Sequence, residues 1–253
     1  MKVALFIILV LWVSLLGWSS GRTAPVKHPP PWALIWNDEF EGRRLDLRKW
    51  AVGNASQPNF DGGINIYSPQ DVDVENGDLV IRSRQLAGGK AAYSSGRVST
   101  RESFSFLYGR VEIRARLPGT KGLWPAIWML RRDGVWPPEI DVMEMLGDNP
   151  RRVYMTNHWR THHGLRQDQD SFTGPDFSAG FHVFALEWEP GVVRWLVDGV
   201  ERKAMTEHIP DRPMYLIMNT SVGGDWPGAP DRRTVLPQYF RVDYVRVYQR
   251  SAR

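Results

Sequence analysis

The chain contains no cysteine. Disulfide staples, thiol nucleophiles and zinc–thiolate centres are excluded together. The compartment is not, because export permits disulfides without requiring them. A surplus of one charge is also missing. Lys and Arg number 32 against 28 Asp and Glu, the net charge is +4, and no basic run stands out. The basic balance therefore reads as a solubility property, and no nucleic-acid partner is expected. Past Trp18 no apolar stretch is long enough to span a membrane. A long amphipathic helix, an internal repeat and an internal linker are absent as well.

What remains is a chain of 253 residues, enough for one domain with a large core. Its N-terminus is set apart. Lys2 precedes an apolar stretch from Val3 to Trp18, followed by Ser19-Ser20-Gly21. A basic start, an apolar middle and small residues fit a secretory signal over residues 1–21, with an uncleaved membrane anchor as the alternative. Residues 22–32, with Pro29-Pro30-Pro31, read as an extended tether. The catalytic unit is expected over residues 33–250, exported (secreted, periplasmic or at the cell surface) and monomeric, touching a membrane only if the leader stays on.

The rest reads as strands and turns. From Gly109 to Leu117, Val111, Ile113, Ala115 and Leu117 alternate with Arg110, Glu112, Arg114 and Arg116. That is a strand with one buried face and one charged face. Val192–Val197 runs into Asp198-Gly199, a hairpin signal, and Val200–Ala204 returns. His182–Trp188, Tyr215–Met218 and Arg241–Gln249 are rich in strand formers. Short strands with frequent Gly and Pro turns predict an all-β sandwich of two antiparallel sheets. The chain also has 12 Trp, whose faces serve core packing and sugar stacking alike.

The chemistry concentrates in Trp136-Pro137-Pro138-Glu139-Ile140-Asp141-Val142-Met143-Glu144-Met145. In a strand Glu139 and Asp141 share one face and Ile140 and Val142 the other. Glu144, three residues past Asp141, faces the wrong way unless a β-bulge near Val142-Met143 adds one residue. Carboxylates on one face repel each other. A solvated acidic face and a Ca²⁺ site are two readings. Glycoside hydrolysis is the third, since a retaining enzyme needs two carboxyls about 5–5.5 Å apart, one ionised and one protonated. In that scheme Glu139 attacks, Glu144 acts as acid and then base, and Asp141 orients and tunes the pair.

This segment resembles the E-x-D-x-x-E signature of glycoside hydrolase family 16 in its bulged, laminarinase-like form. Further stretches are similar to the family in the expected order. They include Trp36-Asn37-Asp38-Glu39-Phe40, Tyr93-Ser94-Ser95-Gly96-Arg97, Gly122-Leu123-Trp124-Pro125-Ala126-Ile127-Trp128 and Asn219-Thr220-Ser221-Val222-Gly223-Gly224-Asp225-Trp226. The similarity covers about Ile35 to Tyr248. It implies a concanavalin-like β-jelly roll with a cleft across a concave sheet, endo-cleavage with retention, and no catalytic cofactor. It also implies substrate contacts at Arg97 and His158, and a structural Ca²⁺ held by Glu39 and Asp243 with a backbone carbonyl near Gly77. Trp124 and Trp128, four apart and so on one face of a strand, read as sugar contacts, with core packing beneath the cleft as the alternative, and Trp226 in its Gly/Pro-rich loop reads as a sugar platform at the rim.

The substrate class follows from the resemblance: a polysaccharide, with β-1,3-glucan of the laminarin type first. Mixed-linkage β-glucan and an agar- or porphyran-type galactan are the alternatives. Gly62-Gly63-Ile64-Asn65-Ile66-Tyr67-Ser68 keeps Tyr67 but lacks the Asn/Glu pair common in β-1,3-glucanases. Arg131-Arg132 and Arg160-Thr161-His162-His163 suggest an anionic polymer as a further option. A transglycosylase and a non-catalytic carbohydrate-binding jelly roll are the rival functions.

Overall fold

The structure, a computed structural model, describes residues 31–55, 62–87 and 92–251. The apolar leader and the tether up to residue 30 lie outside the described residues. Trp32, expected in the tether, belongs to the domain: it opens the first strand, pairs with Arg250 and carries that guanidinium over its ring.

Among the described residues seventeen strands and one 3₁₀ turn (Pro69–Asp71) are found. In chain order the strands are β1 (Trp32–Asp38), β2 (Ala51–Val52), β3 (Asn65–Tyr67), β4 (Val72–Glu75), β5 (Asp78–Gln85), β6 (Tyr93–Ser95), β7 (Arg97–Ser99), β8 (Gly109–Arg116) and β9 (Leu123–Arg131). Then come β10 (Glu139–Met145), β11 (Arg152–Thr161), β12 (Gly164–Thr173), β13 (His182–Glu189), β14 (Val192–Val197), β15 (Val200–Met205), β16 (Met214–Val222) and β17 (Gln238–Arg250). One sheet runs β15-β14-β13-β8-β17-β5-β6-β3, with β1 also on β17 and β4 on β5. The other runs β12-β11-β10-β9-β16-β7-β2. Pairing is antiparallel except between β3 and β6.

The alternation expected for β8 is observed: Val111, Ile113 and Ala115 are buried, and the charged residues between them are not. The hairpin at Asp198-Gly199 joins β14 to β15, and both turn residues have positive φ, as a tight two-residue hairpin demands. Side chains from the inner faces of the two sheets form one large core. A second, smaller cluster of Ala126, Trp128, Tyr215, Ile217 and Leu130 lies apart from it, on the open face of the seven-stranded sheet.

Two devices fix the strand that carries the acids. Trp195 of β14 is fully buried, and its indole N–H crosses the core to the Asp141 carbonyl at 2.8 Å. At the far end of that strand, Gly147 lies where a Cβ would stand 2.2 Å from the Thr120 carbonyl oxygen. Backbone cannot yield there as a flexible side chain would. Gly147→Ala is expected to cost about 2 kcal/mol or more, lowering the melting temperature by roughly 4–8 °C; thermal unfolding followed by circular dichroism measures it.

Candidate active site

The expected bulge is in β10. Against β9, Asp141 pairs with Trp128 and Met143 with Ile127, so two steps along β10 match one along β9. Against β11, Asp141 pairs with Thr156 and Glu144 with Tyr154. The extra residue turns both Val142 and Met143 into the core. Alternation then resumes, and Glu144 rejoins Glu139 and Asp141 on the open face. A solvated acidic face is ruled out by burial: Asp141 is 2% and Glu144 8% exposed.

Each carboxylate has a specific partner. Trp136 donates its indole N–H to Glu139 Oε2 at 2.7 Å. Trp124 donates to Glu144 Oε1 at 3.0 Å. His158 Nε2 lies 2.9 Å from Asp141 Oδ2 and 4.0 Å from Glu139 Oε1. One ligating atom from each of Glu139, Asp141 and His158 falls within 4.8 Å of the others. Glu144 stands outside that trio, so the three acids are not arranged as one oxygen cage around a cation.

The floor beside the acids is a polar network on an aromatic base. Trp128 donates to Asn219 Oδ1 at 2.7 Å, and Asn219 Nδ2 donates to the Tyr67 hydroxyl at 3.1 Å. That hydroxyl lies 3.2 Å from Ser221 Oγ. Burial raises the Tyr67 pKa, partly offset by the Ser221 hydrogen bond and the Arg97 charge. Arg97 sits over both the Tyr67 and Trp128 rings, 5.6 and 5.4 Å from their centroids. Burial pulls its guanidinium below the ordinary value. Trp128, expected as a sugar contact, is only 8% exposed and has Arg97 over its face. Its N–H and one π face are committed within the fold, as in the packing alternative.

The opposite wall is aromatic. Trp226 packs edge-on against Trp124 at 5.2 Å and Tyr154 at 4.8 Å. The Gly/Pro-rich loop thus delivers Trp226 to the Glu144 end of the acids, through Trp124.

The family model described as "Glycosyl hydrolases family 16" matches residues 61–245. The chain belongs to this family. A beta-glucanase of Rhodothermus marinus is 37% identical over 279 residues, covering 98% of this chain and 94% of that protein. A glucan endo-1,3-beta-glucosidase A1 of Niallia circulans is 36% identical, covering 85% of this chain and 38% of that longer protein. The laminarinase catalytic domain of Thermotoga maritima has a TM-score of 0.80 and 37% identity, covering 87% of this chain and 99% of that one. The two-sheet sandwich is therefore the family 16 jelly roll, and the chain is a laminarinase-like glycoside hydrolase.

Other expected positions fall outside the cluster formed by Glu139, Asp141 and His158. Glu39 holds Arg246 through both oxygens, at 2.8 and 2.9 Å, and accepts from Asn37. This bidentate pair lowers the Glu39 pKa and raises that of Arg246. Asp243 pairs with Arg114. Among the described residues neither carboxylate joins a cluster of potential side-chain ligands. As arranged, these side chains do not fit a calcium ion, since each already carries a guanidinium. Arg131 is paired with Asp133, and Arg132 reaches Ser105. His162 and His163 are exposed in the turn between β11 and β12.

Sequence reasoning assigned no role to Trp136, Tyr154, Asn219 or Trp195. Trp136 carried one signal, its place three residues before Glu139. For Asn219, Tyr154 and Trp195 the partner is remote in sequence, and only the fold brings the pairs together.

Proposed function

We propose that the chain is an endo-acting β-1,3-glucanase that cleaves internal bonds of laminarin-type glucan by double displacement, with Glu139 as nucleophile and Glu144 as acid/base. The observation that carries this is the bulge, which sets two partly buried glutamates on one face with Asp141 between them. The relatives' recorded activities support the glucan. In the first step a Glu139 oxygen bonds the anomeric carbon while the glycosidic oxygen leaves with a proton from Glu144. In the second, Glu144 takes a proton from water, which attacks the same carbon and releases Glu139 as carboxylate. Asp141, hydrogen-bonded to His158, lies between the two glutamates on their strand and orients the pair.

A neutral polymer is favoured over an anionic one by the glucan named for a relative, and two of the nearby cations are already engaged. The Arg131 charge is spent on Asp133, and Arg97 is stacked into the floor. Export is proposed as well, on the leader sequence and because a polysaccharide cannot cross a membrane to reach an internal enzyme. The test is a panel of laminarin, mixed-linkage glucan, agarose, porphyran and carrageenan, with reducing ends measured. Laminarin is expected to give short oligosaccharides from the earliest times, at the highest rate in the panel. Binding to laminarin without any release of reducing ends would make the protein a carbohydrate-binding jelly roll instead. Transfer to added acceptor sugars in place of hydrolysis would make it a transglycosylase.

A further inference from the structure

We propose that Trp136 is a positioning residue for Glu139, holding one carboxylate oxygen so that the other has a fixed place toward the anomeric carbon. The inference rests on Glu139 being the nucleophile. Trp136 lies in the connector between β9 and β10 and is 46% exposed. An exposed indole ordinarily spends its N–H on water. Here the N–H points back across three residues to Glu139 Oε2 at 2.7 Å.

The connector is built to deliver that donor. Arg131 and Asp133 form an ion pair, the Val135 N–H donates to Asp133 Oδ1 at 3.1 Å, and the Gly134 N–H donates to the Arg131 carbonyl at 3.2 Å. Gly134 takes a φ of 80°, open to glycine at little cost. Pro137 and Pro138 fill the whole interval between donor and acceptor. Each locks its own φ, so the link between Trp136 and Glu139 has little freedom to wander.

The chemistry gives the contact two effects. A hydrogen bond to an ionised oxygen is stronger than one to a neutral oxygen. It therefore favours the carboxylate that must attack. It also weakens when Glu139 becomes an ester and strengthens again as the ester breaks, which favours release of the glycosyl group. The titratable groups around Glu139 include Asp141 and Glu144 on its own strand, His158 from β11 and Tyr215 from β16, with Arg97, Arg101 and Glu102 beyond Tyr215. A Trp136→Phe variant keeps all of these and an aromatic wall, and removes the donor alone.

The experiment is steady-state kinetics of Trp136→Phe on laminari-oligosaccharides across pH, beside Glu139→Gln and the parent. Melting temperatures within about 2 °C of the parent are expected for so exposed a side chain. We expect kcat to fall about 10- to 100-fold, KM not to rise, and the acid limb of kcat/KM to move to higher pH. An unchanged kcat, a loss confined to a higher KM, or a lower kcat with an unmoved acid limb would overturn the positioning role. Glu139→Gln separates the two levels. If it is inactive while Trp136→Phe behaves as the parent, only the positioning fails. If Glu139→Gln keeps parental turnover, the nucleophile assignment fails and takes this inference with it.

Discussion

Glu139→Ala is expected to lower kcat on laminarin by at least about 10⁴-fold, since without the nucleophile no glycosyl-enzyme can form. Azide should partly restore the variant on an aryl glycoside with a good leaving group. The small anion occupies the space of the lost carboxyl and attacks once, from the face Glu139 used. The product is then the glycosyl azide of inverted configuration. Proton NMR of the anomeric centre reads the outcome. An azide of retained configuration would mean that Glu139 is not the group that attacks. The fold should survive, because Glu139 lies on the open face and lends nothing to the main core.

Glu144→Ala should leave a different signature. On laminarin a loss of about 10²- to 10⁴-fold is expected, because a sugar leaving group needs its proton. With a leaving group that departs unaided, the first step should survive, and the second should stall for want of a base. A burst of the aglycone followed by slow turnover is therefore expected, with the glycosyl-enzyme visible by intact-protein mass spectrometry. Azide needs no base, so it should accelerate turnover and give the azide of retained configuration. An inverted product here would exchange the roles of the two glutamates. The structure adds a reason to expect a clean result: Trp124, which donates to Glu144, also packs against Trp226 and is held without that contact.

Strands whose alternation is strict were legible before any coordinates. In β8 every second residue is apolar, and a strand with one face in the core has no other stable register. The Asp198-Gly199 hairpin was legible because its turn residues tolerate positive φ and few others do. The bulge in β10 was legible for a different reason: Glu144 is out of phase with Glu139 and Asp141, and only an added residue reconciles them. The partner of Trp128 was not legible. Its spacing from Trp124 places both on the open face, yet spacing says nothing of Arg97, which comes from β7 and covers its ring. Glu39 and Asp243 were read as ion ligands from their positions along the chain, where the fold gives each an arginine.

By itself, then, the sequence determined the sheet-forming pattern and the acidic strand with its bulge. All of these are set by neighbours within a few residues, where alternation and turn chemistry leave little choice. Tertiary structure alone decided which partner each carboxylate has beyond its own segment. It placed Trp195 across the core beneath Asp141, His158 beside it, and Asn219 against Trp128. Those contacts join residues 17 to 91 positions apart, and their geometry depends on how two sheets stack and in what order their strands lie, which no local pattern encodes.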